Sequence, residues 1–328
     1  DRAVPCRHVT SRHAALVGTT ASGKSALALA VARRDPALEL VSVDSMQVYR
    51  GMDIGTAKPT PAQRAEVPHH LLDIADPWDE FTVASFAELA RAAVADIEAR
   101  GRRALLVGGT GLYLRALIDE LTVPGRYPEA RASVDAEHDT RALHRRLVEL
   151  DPVAASRMEP TNRRRVVRAL EVTIGSGRPF SSFGPGLEEY PPSRFQLIGV
   201  ELPLDVVAAR IETRYHEQVA AGFVEEAAGL LADPRGVSRT ARQALGYREL
   251  FDYLAGGCGL DEAVGLAVRR TRRFARRQRS WFRRDPRIRW LRADEPAELL
   301  GPLLDELGIG GHEGGRQSAR GHSTGLAD

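Results

Sequence analysis

Apolar positions along the chain fall into two kinds of pattern. Short continuous runs at residues 13–17 (HAALV), 38–43 (LELVSV), 104–107 (ALLV) and 195–200 (FQLIGV) are too short for helices and predict strands. Between them, the alanine-rich stretch after Ser25 and residues 81–100 repeat apolar side chains at helical spacing, the second closing at Gly101. Strands alternating with helices predict an α/β fold: a parallel sheet flanked by helices, with ligands at the strands' carboxyl ends. From about Gly125 to Pro192 the pattern changes. Residues 141–150 and 162–174 read as arginine-rich helices, and a Gly/Pro/Ser stretch follows over 175–192. This predicts a helical insertion, after which 195–200 returns to the sheet. Helices are then expected over about 204–221, 224–231 and 260–283. In the last, Ala267, Thr271, Phe274, Gln278 and Trp281 form one stripe, expected to pack inward with arginines facing out.

The expected organisation is therefore a flexible N-terminus (1–13) and a core from 14–124 and 193–307 that ends in basic helices. Residues 125–192 form the insertion, and the tail of 308–328, with its seven glycines, is expected to be disordered. With 43% hydrophobic and 27% charged residues the chain has globular composition, and no apolar run approaches the ~18 residues of a membrane span. The first residues lack the apolar core of a signal peptide, so a cytoplasmic protein is expected. Two cysteines, Cys6 and Cys258, are too few for a disulfide framework or a four-ligand zinc site.

Net charge is only +2, but its distribution is uneven. Residues 269–289 hold eleven arginines and one acid, a local balance of +10, which leaves −8 on the rest of the chain. One strongly basic end on an otherwise acidic protein predicts a polyanionic partner. Of 46 basic residues only two are lysines, Lys24 and Lys58. Lysines kept against such a bias mark positions that need a compact ammonium. On that ground Lys58, in Gly55-Thr-Ala-Lys-Pro59, is expected on the acceptor side of a cleft, or else as a plain surface residue.

The chemistry centres on Gly18, Thr19, Thr20, Ala21, Ser22, Gly23, Lys24 and Ser25. This glycine loop sits between a strand and a helix, in the pattern that binds phosphate. Backbone N–H groups hold phosphate oxygens, Lys24 neutralises them, and Ser25 is the candidate Mg²⁺ ligand. No acid follows the third strand, which ends Gly108-Gly109-Thr110. The acid stands instead after the second strand, as Asp44. It could be a general base, help hold Mg²⁺, or merely cap the following turn with Ser45.

The segments Gly18–Ser25, Ser42-Val-Asp-Ser-Met-Gln47 through Pro59, Pro68-His-His-Leu-Leu-Asp73 and Leu106-Val-Gly-Gly-Thr-Gly-Leu-Tyr113 come in a recognisable order. With Arg168-Ala-Leu-Glu171, Gly246-Tyr-Arg248 and the arginine-rich run from Thr271 to Trp281, the series resembles the bacterial tRNA dimethylallyltransferases. That resemblance implies a P-loop NTPase-like sheet with a helical tRNA-binding insertion. It implies Mg²⁺-dependent transfer of a dimethylallyl group from dimethylallyl diphosphate to N6 of the adenosine next to the tRNA anticodon. Carried over residue by residue, Thr20 to Ser25 hold the diphosphate, and Asp44, Lys24, Thr110 and Arg214 form the catalytic set. The tRNA contacts implied are Asp44, Ser45, Met46, Gln47, Thr110 and Arg131; Arg164, Arg165, Val166, Val167 and Arg168; Gln243, Ala244, Leu245, Gly246, Tyr247 and Arg248; and Arg276 and Gln278. A monomer is expected. The alternatives weighed are an isopentenyltransferase acting on ATP, ADP or AMP, a P-loop small-molecule kinase, and a non-catalytic tRNA-binding protein. The basic segments count against the first, the ordered motifs against the second, and the intact loop, Asp44 and Thr110 against the third.

Overall fold

The computed structural model describes residues 13–184 and 186–309. Six strands form one sheet: β1 (His13–Gly18), β2 (Leu38–Val43), β3 (His69–His70), β4 (Arg103–Gly108), β5 (Phe195–Glu201) and β6 (Arg289–Arg292). Their order is β3-β2-β4-β1-β5-β6, and every pairing is parallel. Central β1 and its near neighbour β2 are buried along their whole length, which explains their continuous apolar runs. β3 and β6 escaped the sequence reading. One is two residues long, and the other (RWLR) has two exposed arginines and no buried residue, as an edge strand can. His13, expected in the flexible N-terminus, is buried in β1. The rest of that expected segment, and the expected tail beyond Ile309, lie outside the described residues.

Helix Val83–Ala99 shows how local sequence sets an element. Thr82 caps it by accepting from the Ser85 amide, and Phe86, Ala90, Val94 and Ile97 all point into the core. Gly101, at φ 72°, then turns the chain into β4. Residues 130–170 build a second, separate hydrophobic cluster from Val134, Leu143, Leu147, Met158, Val166 and Leu170, among others. Asp151, almost wholly buried, braces it. Its carboxylate caps helix Pro152–Ser156 at the Ala154 amide and also accepts from the amide and hydroxyl of Ser181. The return from this region is clamped to the core. Buried Arg115 donates to the carbonyls of Leu187 and Glu189, and Arg287 bridges Asp119 and the Pro191 carbonyl.

Candidate active site

Three loops meet at the carboxyl edge of the sheet, because Val17 and Val43 both lie level with Gly108 in the parallel register. The fit leaves no room for a side chain: a Cβ on Gly108 would sit 2.0 Å from the Val43 carbonyl oxygen.

The first loop follows β1 and runs into helix Lys24–Ala32. It turns through left-handed backbone at Ala21 (φ 61°) and Gly23 (φ 87°). Ala21 has a Cβ and is strained there by about 1 kcal/mol; Arg210 holds its carbonyl through an Nε donation at 2.8 Å. Lys24 Nζ donates to the Thr19 carbonyl at 3.2 Å. Burial lowers the Lys24 ammonium to about 8, with Asp44 opposing that shift and Arg214 adding to it. Arg214 donates to the Thr20 hydroxyl at 2.9 Å, and its Nε is buried without a partner. Burial pushes its pKa down as well. Neither Lys24 nor Arg214 forms an ion pair among the described residues, and the Ser22 hydroxyl is buried and unpartnered. Two covered cations without acids, at a helix N-terminus, make a site shaped for an anion.

The second loop follows β2. Asp44 Oδ1 accepts from the amides of Met46 (2.8 Å) and Gln47 (3.3 Å), so the turn-capping role is real. Its other oxygen has no hydrogen-bond partner among the described residues. From the third loop, the Thr110 hydroxyl accepts from the Ser45 amide at 3.3 Å, which ties the two turns together. Gln47 is occupied internally: its Oε1 accepts from Ser42, and its Nε2 donates to the carbonyls of Thr56 and Ala57. The Asp53–Gly55 turn is itself caught by Glu226, whose carboxylate accepts from the amides of Asp53, Ile54 and Gly55 and from the Tyr247 hydroxyl. No sequence signal marks Glu226, which reads as an ordinary helix-surface acid.

Lys58 is not a plain surface residue. Its ammonium is buried, donating to Asp53 (2.7 Å), Asp73 (2.6 Å) and the Tyr49 carbonyl, so it needs a compact cation for structural reasons. Scarcity singled it out correctly.

The expected RNA contacts divide by exposure. Arg164 and Arg165 are exposed and make no ion pair among the described residues, whereas Val166 and Val167 are fully buried in the second cluster and offer a polyanion nothing. Arg168 anchors that cluster's entry, donating to Glu171 (2.7 Å) and to the carbonyls of Pro124 and Gly125. Arg131 pairs with Asp135 at 2.6 Å. Gln243 and Arg248 are exposed, Leu245 is half-buried, and Ala244, Gly246 and Tyr247 are buried.

The buried stripe of helix Leu260–Phe282 comprises Ala267, Thr271, Ala275, Gln278 and Phe282. Phe274 and Trp281, expected inside, are only half-covered. Phe274 lies beneath the Arg277 guanidinium, and the indole of Trp281 closes over Gly111. Six of the eleven arginines between 269 and 289 are paired: Arg270 with Glu249, Arg272 with Glu212, Arg279 and Arg283 with Glu201, Arg287 with Asp119, and Arg289 with Glu306. The expectation that Arg272, Arg279 and Arg283 simply face outward is therefore corrected. Arg269, Arg273, Arg276, Arg277 and Arg284 are exposed without an ion pair among the described residues. Gln278, expected to touch RNA, is buried between two of the loops. Its Oε1 accepts from the Thr20 amide and its Nε2 donates to the Gly109 carbonyl.

A family model described as IPP transferase matches residues 47–285. The chain belongs to the IPP transferase family. It is 49% identical over 285 residues to a tRNA dimethylallyltransferase of Nocardioides sp., covering 86% of this chain and 91% of that one. Among solved structures, it resembles the full-length tRNA isopentenylpyrophosphate transferase of Bacillus halodurans at 37% identity and TM-score 0.65, over 91% of this chain and 97% of that one. A eukaryotic dimethylallyltransferase acting on tRNA shares the fold at 24% identity and TM-score 0.73, over 88% and 75% of the two chains. The IPP transferase match begins after the phosphate loop and Asp44, so the roles of those residues rest on their geometry. Among the described residues no group of three or more His, Cys, Asp or Glu is placed to hold a metal, and no helix is long and apolar enough to cross a membrane.

Proposed function

We infer that this IPP transferase family member transfers the dimethylallyl group of dimethylallyl diphosphate to N6 of adenosine 37 in tRNA and releases diphosphate. One observation carries the reading at the level of the site. The two cations without acid partners, Lys24 and Arg214, cover a phosphate loop, and a carboxylate with one oxygen free stands at the end of the next strand but one. An exocyclic adenine amine is a weak nucleophile because its lone pair is delocalised into the ring. The allylic carbon compensates by stabilising positive charge as its C1–O bond breaks. The N6 lone pair forms the new bond to C1, the bonding pair leaves with the diphosphate, and the N6 proton passes to the free oxygen of Asp44. Lys24, Arg214 and the loop amides hold the charge that builds on the leaving diphosphate. Thr110, bonded to the Ser45 amide, ties the turn that carries Asp44 to the turn after β4.

Mg²⁺ would be held by the exposed Ser25 hydroxyl together with oxygens of the substrate. When bound, the ion neutralises diphosphate charge. Arg164, Arg165, Arg248, Arg276 and the other exposed arginines of the long helix grip the tRNA backbone, and the target base leaves its stack to reach Asp44. The protein acts as a monomer in the cytoplasm. Incubation with dimethylallyl diphosphate and unmodified tRNA, followed by nucleoside mass spectrometry, tests the reading. The expected product is N6-dimethylallyladenosine; prenylation of free AMP or ATP with tRNA untouched would replace it with the nucleotide-accepting alternative.

A further inference from the structure

The arginine helix carries one uncharged polar side chain that is deeply buried against the catalytic edge. Gln278 lies between Arg277 and Arg279 yet is only 6% exposed. Its amide closes a bridge between two loops that share no hydrogen bond with each other: Oε1 accepts from the Thr20 amide at 2.8 Å, and Nε2 donates to the Gly109 carbonyl at 2.9 Å. The orientation of the amide is fixed by these partners, one a donor and one an acceptor. Space is fixed too, since a Cβ on Gly109 would lie 2.2 Å from Nε2 but 3.3 Å from the next atom outside Gln278, the Gly18 carbonyl oxygen. The nearest obstacle to a side chain at Gly109 is thus the Gln278 amide.

We propose that Gln278 is a positioning residue, not an RNA contact: it sets the diphosphate loop at Thr20 against the Gly109–Thr110 turn. Through Thr110 and the Ser45 amide the same bridge reaches the turn that carries Asp44. Arg214 holds the other side of Thr20, at its hydroxyl, so the residue is gripped from both sides before any diphosphate arrives. Loss of the bridge leaves a half-buried N–H at Thr20 and a buried carbonyl at Gly109 without their partner, and each loop must shift to satisfy them. Displacements of about 1 Å at a reacting centre cost on the order of a hundredfold in rate. The proposal rests on the functional reading above for its turnover arm only.

A double-mutant cycle on the intact protein tests it. Gln278→Ala is expected to lower kcat for dimethylallyl transfer at least tenfold and to weaken binding of inorganic diphosphate about tenfold. Its tRNA affinity should stay within twofold of wild type. Gly109→Ala drives a methyl into the amide and should produce the same pattern. In the double variant the methyl occupies the space that Gln278 has left, so the two losses should not multiply. Three results would overturn the proposal: a tenfold loss of tRNA affinity with diphosphate binding unchanged, wild-type behaviour of Gln278→Ala, or losses that multiply in the double variant. Should Gln278→Ala fail to fold, the isosteric Gln278→Glu keeps the acceptor for Thr20 but opposes the Gly109 carbonyl with a lone pair, and the same three readouts decide. A wild-type protein that prenylates nothing would refute the functional reading alone, because diphosphate binding still tests the bridge.

Discussion

Lys24 is a cation that the fold tolerates for the sake of its ligand, and Lys24→Met should show the cost. The substitution keeps most of the side chain's length and removes its charge. Burial lowers the ammonium from 10.5 to about 8, which amounts to about 3 kcal/mol of folding free energy given up at pH 7. The donation to the Thr19 carbonyl is lost in the variant and returns about 1 kcal/mol. The net expectation is a protein more stable by about 2 kcal/mol at pH 7, a rise in Tm of about 3 °C. The pH dependence has a definite sign. Between about 8 and 10.5 the unfolded chain binds more protons at this lysine than the native protein does, so the wild type gains stability as pH rises through that window. At pH 10 the charge term has fallen to about 1 kcal/mol and the variant's advantage is gone. Urea denaturation of both proteins at pH 7 and pH 10 measures this, and calorimetry with inorganic diphosphate should show binding nearly abolished in the variant. A variant less stable than wild type at pH 7, or an advantage that does not shrink with pH, would refute the reasoning.

The other lysine should behave oppositely: Lys58→Met strands Asp53 and leaves Asp73 with Arg64 alone. Because both acids reach solvent the loss should be about 2–3 kcal/mol, read as a lower Tm. Asp44→Asn retains the oxygen that accepts from Met46 and Gln47 but cannot take the amine proton. Turnover should fall about 10²–10⁴-fold while tRNA and diphosphate affinities change less than tenfold; loss of Mg²⁺-dependent diphosphate binding instead would make Asp44 a metal-site residue. Replacing Arg269, Arg273, Arg276, Arg277 and Arg284 by Gln should lower the log–log salt slope of tRNA binding by about 0.7–0.9 per phosphate contact removed. Replacing Arg279 and Arg283 should affect stability through Glu201 and leave that slope unchanged; equal slope changes in the two sets would show that ion pairing does not sort these arginines.

What the sequence disclosed and what it withheld follow from range. The strands of the central sheet, the phosphate loop and Asp44 were legible because each depends on neighbours a few residues away: a run of apolar side chains, a glycine at a required φ, an acid at a strand end. β3 and β6 were not, since a two-residue strand and an arginine-bearing edge carry no periodicity. The arginine helix was placed within a residue of its ends, but its buried face was misread at Phe274 and Trp281. A 3.6-residue period does not choose between adjacent stripes when arginines flank both, and Ala275 and Phe282 took the core positions. Glu226 and the bridging role of Gln278 depend on partners more than 150 residues away in sequence, such as Asp53 and Gly109. Only the fold brings those atoms together. The resemblance to the family supplied positions such as Val166 and Val167 as one block with their arginine neighbours, and burial separates them into packing and surface.

On the proposed reading, anion recognition is divided between two environments with different physics. At the phosphate loop, Lys24 and Arg214 are covered cations without acids, and charges held under protein are screened weakly by salt. On the long helix and in the turn after it, five exposed arginines without an ion pair among the described residues face solvent, where attraction to a polyanion comes largely from released counterions and weakens steeply as salt rises. Six more arginines are neutralised by Glu201, Glu212, Glu249, Asp119 and Glu306, so the +10 read from the sequence presents about half that charge to RNA. The acids keep the basic segment folded against the core and leave unpaired only the charges on its outer face. Gln278 belongs to the same division. An arginine in its place would put a third unpaired cation under the loop and lose the acceptor that holds Thr20, so the run of arginines has to break at the position where the helix meets the site.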